Sequence, residues 1–543
     1  MGRRGADLLV DQLVAEGIDT IFGLPGIQIM AAYDALHARR DRIRTITTRH
    51  EQSCAYLAYG YAKASGRAGT MLLVPGPGLL NAAAGIALGY AADAPMVGIC
   101  GQIPRDAIGR GQGHLHEIDD QLECVRPITR WTGRALTAAE IPAAVHRAVL
   151  EATTPRTRPT VVDLPPEALR EESTAELVAA EEAPRPGADA ALVARAAAIV
   201  RAGERICLIV GGGAMASDAA AEVAELADRC DAPVVTTQNA KGIVDERLER
   251  AVGVTYFAGL GPGHRILPRS DVVIAIGTRL HIRGLPAGLA ARIIHIDADP
   301  GAIGRNLPTE VGLVGDARAC LRQLLVELGD WRRPAGARAE EIRGYRDRFA
   351  DQVRTLSPAA SQLAGAIRAA LPDDGILVSG MNWLGYWSHL AFPAAAPRTY
   401  LTPGFFGALG YAFPTALGAK VACPRRPVVA VCGDGGFLFA AEELATAVQE
   451  GIAVVVLLLD NGSFGASEHD QRALYGDRIL GTRLHNPDFL ALARAFGVEA
   501  ARTEASELEG ALRWAIALDR PVLLECKVGV DTAPFQLGAL PPP

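Results

Sequence analysis

The chain has 543 residues, of which 49% are apolar and 21% are charged, and its formal net charge is −7. Such a chain is too long for one hydrophobic core, so we expect a globular protein of about three domains. The negative charge argues against nucleic acid as a partner, and the apolar runs are too short to span a membrane. Nine scattered cysteines without a CxxC pair favour reduced thiols and a cytoplasmic protein.

The first predicted unit covers residues 1–175 and alternates short apolar strands with helices. The hydrophobic pattern predicts a helix over 6–16 and strands over 20–22, 44–48, 69–73 and 94–101. Pro25 and Gly26 form a turn after the first strand, and the loop 74–78 after the third strand leads to Asn81. In parallel sheets, turns of this kind lie at the end that holds ligands.

Two polar features of this unit have structural as well as chemical explanations. Glu51 opens a helix, where an acid complements the helix dipole. The loop 111–117 contains His114 and His116, and a histidine near a carbonyl substrate is a candidate proton donor. Short motifs of this kind are also common without any function, so the residues alone leave both interpretations open.

The second predicted unit covers residues 186–335, between proline-rich linkers at 181–188 and 331–338. A strand at 206–210, three glycines and a helix at 218–229 are similar to a nucleotide-binding opening, although the strict GxGxxG pattern is absent. The unit is therefore either a nucleotide site, which would admit an oxidoreductase, or a cofactor-free spacer.

The third predicted unit covers residues 345–543, and its centre is a strand, loop, helix and strand between 428 and 461. The pattern predicts strands at 428–432 and 452–459 and a helix at 437–449. Adjacent parallel strands place Asp434 and Asn461 at the same end of a sheet. A carboxylate and a carboxamide beside a glycine-rich loop suit Mg²⁺ that also carries phosphate oxygens. The predicted fold class is α/β, with three doubly wound parallel-sheet domains.

The spacing of these motifs resembles that of thiamine-diphosphate (ThDP) enzymes. Asn461 follows Gly435 by 26 positions, as in the GDG…Asn fingerprint of that family. The segment RHEQSCAYLAYGYA around Glu51 fits the family pattern HExxxAxxAxGYA. The chain is identified by this resemblance as a member of the family that contains acetolactate synthases, pyruvate decarboxylases and benzoylformate decarboxylases.

The resemblance implies a role for each matching residue. Glu51 would hydrogen-bond N1′ of the cofactor's aminopyrimidine, Asn81 would line the reacting carbon, and Leu409 would wedge the two cofactor rings into a V. Asp434, Asn461 and the carbonyl of Ser463 would be the protein ligands of Mg²⁺. Further cofactor contacts are implied for Pro25, Gly26, Gly433, Gly435, Gly436, Phe464 and Gly465.

The substrate pocket departs from the known types within the family. The acetolactate-synthase segment GMVxQWQ is absent after Asn461, and Leu115-His116 replaces the Phe-Gln pair of those enzymes. The resemblance places five residues around the substrate, most of them apolar, and they predict a 2-oxo acid with an apolar side chain: Ile27, Val74, Leu115, His116 and Ala466. His116, Glu468 and His469 are the candidates for moving protons.

The resulting expectation is ThDP- and Mg²⁺-dependent, non-oxidative decarboxylation of a 2-oxo acid, with or without carboligation to a second carbonyl. The alternatives are a true acetolactate synthase and a catalytically silent ThDP-fold binding or regulatory protein. FAD or ADP in the middle unit is conceivable for such a fold but not expected here. Because the Glu and GDG half-sites of one centre come from different chains in this family, the resemblance implies a homodimer or homotetramer with active sites at the dimer interface.

Overall fold

The computed structural model of the chain describes residues 2–255, 261–281, 285–286 and 288–537. Within them the chain forms three successive six-stranded sheets, and all strand pairs inside these sheets are parallel. The predicted α/β class with three parallel-sheet units is therefore confirmed. The described residues contain no helix that is both long and apolar enough to cross a membrane.

The first unit contains one large sheet and a two-stranded antiparallel sheet. Its strands are β1 (Arg3–Arg4), β2 (Thr20–Gly23), β3 (Arg44–Thr47), β4 (Gly69–Leu73), β5 (Met96–Gly101), β6 (Trp131–Arg134), β7 (Thr160–Leu164) and β8 (Glu172–Ser173). Its helices are α1 (Gly5–Ala15), α2 (Met30–Ala38), α3 (Glu51–Ser65), α4 (Pro77–Ala91), α5 (Gln121–Val125), α6 (Ile141–Thr153) and α7 (Pro166–Arg170). The large sheet has the order β3-β2-β4-β5-β7-β6.

The middle unit has a different strand order. Its strands are β9 (Ile206–Val210), β10 (Val234–Thr236), β11 (Ala251–Val254), β12 (Val272–Ile276), β13 (Arg292–Asp297) and β14 (Val311–Val314). Its helices are α8 (Ala190–Ala202), α9 (Gly212–Ala216), α10 (Ala220–Arg229), α11 (Gly263–Ile266) and α12 (Ala317–Leu328). The order β11-β10-β9-β12-β13-β14 is that of dinucleotide-binding folds.

The third unit repeats the order of the first. Its strands are β15 (Ile376–Ser379), β16 (Tyr400–Leu401), β17 (Val428–Gly433), β18 (Val455–Asp460), β19 (Glu499–Thr503) and β20 (Val522–Lys527). Its helices are α13 (Ala339–Leu356), α14 (Pro358–Ala370), α15 (Trp383–Ala391), α16 (Ala412–Ala422), α17 (Asp434–Phe437), α18 (Glu443–Glu450), α19 (Gly465–Leu474), α20 (Phe489–Ala495) and α21 (Leu508–Ala517). The sheet order β16-β15-β17-β18-β20-β19 matches that of the first sheet position by position.

Strand order explains where the two predicted motifs lie. In the first sheet the order reverses between β2 and β4, and in the third it reverses between β15 and β17. Open α/β sheets bind ligands in the crevice beyond the carboxyl ends of the strands at such a point. The Pro25 turn and the 74–78 loop follow one pair of strands, and the Asp434 loop follows β17 of the other pair.

The prediction of one continuous helix over 437–449 is wrong. The chain instead forms the short helix α17, a turn through residues 438–442, and then α18 from Glu443. The apolar spacing that suggested one helix arises because both sides of the break are buried: Phe437 is 1% exposed and Leu444 is 1% exposed. Gly451 ends α18 in a left-handed conformation, as its position after the apolar pattern predicts.

The first and third units share one hydrophobic core. Helices α3 and α16 cross so closely that a Cβ on Gly60 would lie 1.9 Å from the carbonyl oxygen of Thr415. Tyr59 on α3 donates a hydrogen bond of 2.7 Å to the carbonyl of Thr402 in the third unit. The buried apolar residues around this crossing form one continuous cluster that spans both sheets. The two units are therefore held in a fixed relation within one chain.

Candidate active site

Glu51 is the first residue of α3, directly after the loop that follows β3. His50 caps the helix by accepting a hydrogen bond of 3.2 Å from the backbone N–H of Gln52. The Glu51 side chain is 8% exposed, and its Oε2 accepts a hydrogen bond of 3.0 Å from Asn81 Nδ2 on α4. Two residues that the sequence placed in one site are thus in direct contact, beyond the carboxyl ends of β3 and β4, which flank β2 in the sheet.

The loop after β4 passes directly beside this pair. A Cβ on Gly78 would lie 3.4 Å from Glu51 Oε1 and 2.5 Å from Val74 Cγ2, so the absence of a side chain lets the loop approach the acid. Gly76 has φ of +58°, and a Cβ there would lie 2.4 Å from the carbonyl oxygen of His116. The loop that carries His116 therefore rests on the Gly76 turn, within the same half-site as Glu51.

The remaining predicted residues of this half-site surround the same crevice. A Cβ on Gly26 would lie 2.3 Å from Val74 Cγ1, which brings the turn with Pro25 against the β4 loop. Ile27 is 68% exposed and Leu115 is 59% exposed, whereas Val74 is buried. The carbonyl of Leu115 accepts a hydrogen bond of 3.2 Å from Gln28, which attaches the histidine loop to the Ile27 turn.

Gln121 is a residue of this half-site that the sequence did not indicate. It is 1% exposed, and its Oε1 accepts a hydrogen bond of 3.2 Å from the backbone N–H of Gly76. Its Nε2 donates to the carbonyl of Gly101 at 2.8 Å and to Asp163 at 3.0 Å. Gln121 therefore ties the Gly76 turn to the ends of two other strands. A single amide has no periodicity by which the sequence could reveal such a role.

Asp434 forms the centre of a second half-site, directly after β17. Its side chain is 2% exposed, and its Oδ1 accepts a hydrogen bond of 2.8 Å from the N–H of Gly435. Its Oδ2 accepts bonds of 2.7 Å from the N–H of Gly462 and from Asn486 Nδ2. Burial, together with the nearby carboxyl of Asp460, raises the pKa of Asp434 above its ordinary value.

Asn461 lies beside Asp434 because β17 and β18 are adjacent and parallel. Its Oδ1 accepts a hydrogen bond of 3.0 Å from the N–H of Ser463, which shapes the turn after β18. A Cβ on Gly465 would lie 3.2 Å from Asn461 Nδ2, and a Cβ on Gly435 would lie 2.5 Å from the ring of Phe464. The two glycine-containing turns are therefore packed against each other around the carboxylate and the carboxamide.

Leu409 reaches this half-site from the loop before α16. A Cβ on Gly436 would lie 3.9 Å from Leu409 Cδ2, so the leucine and the glycine-rich loop are neighbours. The flanking residues Gly407 and Gly410 have φ of +67° and +78°, a conformation that favours glycine. Leu409 is 38% exposed, so its side chain projects into the space next to Gly436.

Helix α19 carries the other predicted pocket residues. Glu468 is buried, and its carboxylate accepts hydrogen bonds from the Ser463 hydroxyl and from Arg472. These two bonds lower the pKa of Glu468 below its ordinary value. His469 and Ala466 are half-buried on the same helix, and the carbonyl of Ala466 accepts a bond of 2.7 Å from Gln536. The contacts of Glu468 favour a role in holding the Ser463 turn.

Glu443 is a second residue that the sequence did not indicate. Although it belongs to α18 of the third unit, its Oε1 accepts hydrogen bonds of 2.9 and 3.1 Å from the N–H groups of Arg49 and His50. Its Oε2 accepts a bond of 2.5 Å from Thr446, and the side chain is 0% exposed. Burial raises the pKa of Glu443. Glu443 thus holds the loop that ends at Glu51.

Among the described residues, no hydrogen bond or ion pair joins Glu51 or Asn81 to Asp434 or Asn461. Each half-site is bordered by exposed apolar side chains, which include Ile27, Met30, Leu80 and Leu115 on one side and Phe405, Phe406, Leu409, Leu438 and Phe439 on the other.

A pocket of about 390 Å³ lies at the reversal point of the middle sheet. Its walls include Gly211, Asp297 and Arg156, and the guanidinium of Arg279 lies 4.9 Å from the centre of the Phe405 ring. Such a volume suits a small ligand. The pocket is thus bounded by all three units. It is compatible with both interpretations of the middle unit, a nucleotide site at the Gly211 loop or a cofactor-free spacer.

Comparison with known proteins gives matches along most of the chain. Residues 3–124, 193–324 and 383–526 match the N-terminal TPP-binding, central and C-terminal TPP-binding domains of thiamine pyrophosphate enzymes. A probable 2-ketoarginine decarboxylase of Pseudomonas aeruginosa is 34% identical over 528 residues, which cover 96% of this chain and 93% of that protein.

Two further relatives carry a different description. A probable acetolactate synthase large subunit of Methanocaldococcus jannaschii is 33% identical, and one of Methanococcus aeolicus is 31% identical. Each alignment covers 99% of this chain and 94% of the relative. The similarity therefore extends over all three units and is comparable for two kinds of reaction.

Proposed function

The chain belongs to the thiamine pyrophosphate enzymes, and from that premise we propose that it catalyses ThDP- and Mg²⁺-dependent, non-oxidative decarboxylation of a 2-oxo acid. The observation that carries the proposal is the intact state of both half-sites: the Glu51–Asn81 pair and the Asp434–Asn461 pair each lie in one crevice. A protein without catalysis has no need to keep two such arrangements in one chain.

The residues present fit the cofactor and its metal. Asp434 is a buried carboxylate with one acceptor position left after its three hydrogen bonds, which suits a hard cation. Asp434, Asn461 and the carbonyl of Ser463 would hold Mg²⁺, and the turns that begin at Gly433 and Ser463 would receive the diphosphate. Gly435, Gly436, Phe464 and Gly465 would complete that cradle.

The other half-site would bind the pyrimidine end of the cofactor, with Glu51 donating or accepting the proton at N1′. Asn81 holds the Glu51 carboxylate in one orientation, and Leu409 would support the bent form from the Gly436 side. The chemistry that the bound cofactor supplies is formation of a carbanion and uptake of the electron pair that is released with CO₂.

The substrate side chain would lie among Ile27, Val74, Leu115 and Ala466. Because these are apolar, we propose a 2-oxo acid with an apolar side chain. His116 is the preferred residue for proton transfer because its backbone lies on the Gly76 turn, close to Glu51. His469 and Glu468 are the other candidates, and the ion pair of Glu468 with Arg472 makes it the weaker one.

We propose that the active protein is a homodimer, or a dimer of such dimers, with each site built from the Glu51 half of one chain and the Asp434 half of another. One observation supports it: both half-sites are bordered by exposed apolar side chains, which a partner chain would cover. We further propose a cytoplasmic location, since all nine cysteines are free thiols.

The proposed domain limits are 1–175 for the pyrimidine-binding unit, 186–335 for the middle unit and 345–543 for the diphosphate-binding unit. The three matched segments lie within these limits. For the middle unit we retain the expectation of no resident FAD or ADP, and the absorption spectrum and nucleotide content of the purified protein test it directly.

The deciding experiment is NMR of the purified protein with ThDP, Mg²⁺ and 2-oxo acids, alone and in pairs with aldehydes. Aldehyde as the sole product would make the protein a decarboxylase, and a hydroxyketone would make it a carboligase. 2-Ketoarginine belongs in the panel because one relative carries that name. Preference for it, or for a dicarboxylic acid, would overturn the proposed apolar substrate.

A second candidate function is true acetolactate synthesis, which the names of two relatives favour. Acetolactate formed from pyruvate in the same assay would establish it. No turnover of any 2-oxo acid, with ThDP bound, would point to the catalytically silent alternative.

A further inference from the structure

The carboxylate of Asp434 has most of its hydrogen-bonding capacity occupied by protein donors. Oδ2 accepts two bonds, one from the Gly462 N–H and one from Asn486 Nδ2, each 2.7 Å long. Oδ1 accepts one bond of 2.8 Å from the Gly435 N–H. A carboxylate offers about four acceptor positions, two on each oxygen. The single position that remains is therefore on Oδ1.

Asn486 is a residue between two carboxylates. Its Nδ2 lies 2.7 Å from Asp434 Oδ2 and 2.7 Å from Asp460 Oδ1, so both of its N–H bonds are used. The opposite amide orientation would set a carbonyl oxygen against two carboxylate oxygens, so the assignment of the nitrogen is settled by its neighbours. Asn486 Oδ1 is buried and has no partner among the described residues, so the two N–H bonds alone orient the amide.

A third group balances the charge of this arrangement. Lys527 forms an ion pair with Asp460 Oδ2 and a second one of 3.1 Å with Glu525. The carboxylate of Asp460 is thereby engaged on both oxygens, by Asn486 on one and by Lys527 on the other. Asp460 thus serves as the acceptor that fixes Asn486, while Asp434 keeps the free acceptor position.

We propose that Asn486 is a positioning residue that limits Asp434 to binding its metal through Oδ1 alone, and that this restriction favours Mg²⁺ over Ca²⁺. The inference rests on the proposed function, which supplies the metal at Asp434. Mg²⁺ demands octahedral geometry and one oxygen from each ligand, whereas Ca²⁺ accepts a carboxylate through both oxygens. With Oδ2 occupied by two donors, two-oxygen binding is blocked.

Removal of the Asn486 donor would free one acceptor position on Oδ2, while the Gly462 N–H keeps the other. Asp434 could then offer one position on each oxygen to a larger cation. If Asn486 only stabilised the turn after β18, its removal would lower the affinities for Mg²⁺ and Ca²⁺ by the same factor. The ratio of the two metal affinities therefore distinguishes positioning from general support.

The experiment measures ThDP binding by near-ultraviolet circular dichroism at fixed ThDP, with Mg²⁺ or Ca²⁺ added in separate titrations. Wild-type protein is expected to need less Mg²⁺ than Ca²⁺ for half-saturation. Asn486→Leu introduces a side chain of similar size without a donor. It is expected to lower the ratio of the Ca²⁺ to the Mg²⁺ concentration at half-saturation by roughly tenfold, as for loss of one hydrogen bond to a charged group. Asn486→Ser is the second variant if the leucine impairs folding, which thermal unfolding will show.

Two control variants accompany these. Lys527→Met removes a positive charge beside Asp460 but leaves both Asp460 oxygens as acceptors, so both metal affinities should rise together and their ratio should stay. Asn306→Leu removes an amide that donates 2.7 Å to the Arg279 carbonyl in the middle unit, and it should change neither affinity.

The possible outcomes distinguish the role of Asn486 from the proposed ThDP-dependent function. If the wild-type protein binds no ThDP in the presence of either Mg²⁺ or Ca²⁺, the proposed function is overturned, and the role of Asn486 with it. A wild-type protein that prefers Mg²⁺, with an unchanged metal ratio in folded Asn486→Leu and Asn486→Ser, would overturn the role of Asn486 alone. A shift toward Ca²⁺ in these variants, with none in Lys527→Met, would establish it.

Discussion

Asn81 Nδ2 donates a hydrogen bond of 3.0 Å to Glu51 Oε2, from an exposed position on α4 to a buried acid at the start of α3. The bond fixes the carboxylate in one orientation while Oε1 faces the side-chain-free edge at Gly78. An acid that is buried, oriented and approachable from one side is suited to hold a proton at a fixed place in a ligand.

Glu51→Gln is expected to lower kcat by about a hundredfold to ten-thousandfold, the usual contribution of a positioned acid or base. Affinity for Mg²⁺ should change little, because the Asp434 half-site is untouched. Steady-state kinetics and a metal titration measure the two effects. Glu123→Gln is the matched control, since that acid lies on the surface of the same unit and pairs with Arg126. Full activity in Glu51→Gln would contradict the assignment of Glu51 as the acid that acts on the cofactor.

Mixing two inactive variants tests whether each site is shared between chains. In a dimer of one Glu51→Gln chain and one Asp434→Asn chain, one site carries both substitutions and the other carries neither. Random pairing should therefore restore about one quarter of wild-type activity, because half of the dimers are mixed and each has one intact site. Co-expressed, differently tagged chains provide the sample. Sites confined to single chains would give no recovery.

Leu409→Ala is expected to lower kcat about tenfold or more, because the space beside Gly436 loses the side chain that fills it. Leu409→Met should stay within about threefold of wild type, as volume-conserving exchanges are tolerated best. Val326→Ala is the control, since Val326 is 81% exposed on α12 of the middle unit. Equal kcat values for the alanine and methionine variants of Leu409 would argue against a wedge.

Glu443 gives a pH dependence of stability with a definite sign. Burial raises the pKa of Glu443 in the folded state above the ordinary 4.5, so the folded state holds this proton to higher pH than the unfolded state does. The contribution of the protonated Glu443 to the free energy of unfolding is complete below about pH 4.5. It is lost as the pH rises through the folded-state pKa of Glu443.

Glu443→Gln should therefore gain stability relative to wild type as the pH rises from 5 to 8. Thermal unfolding midpoints at several pH values measure this difference. Thr446 and the N–H groups of Arg49 and His50 can still pair with an amide, so the fold should persist. Glu222→Gln is the contrasting control, because ion pairs with Arg318 and Arg322 keep the pKa of that acid low despite its partial burial. Parallel curves for wild type and Glu443→Gln would contradict the expectation.

Much of the fold follows from local patterns in the chain. The runs 206–210, 272–276 and 428–432 are β-branched and apolar, and each forms a buried strand because a parallel sheet is covered on both faces. The break between α17 and α18 could not be predicted, since Phe437 and Leu444 are buried on both sides of it and apolar spacing alone does not reveal a turn.

The sequence by itself determined where the residues lie that we propose to carry chemistry: the GDG loop with Asn461 at its fixed spacing, and Glu51 at the opening of its helix. Chain connectivity is sufficient for these, because each lies shortly beyond the carboxyl end of a strand. Only the tertiary structure decided what holds them in place: Asn486 on Asp434, Glu443 on the loop before Glu51, and Gln121 on the Gly76 turn. The physical reason is that hydrogen bonds between side chains far apart in the chain depend on how whole elements pack, and they leave no periodicity or spacing in the sequence.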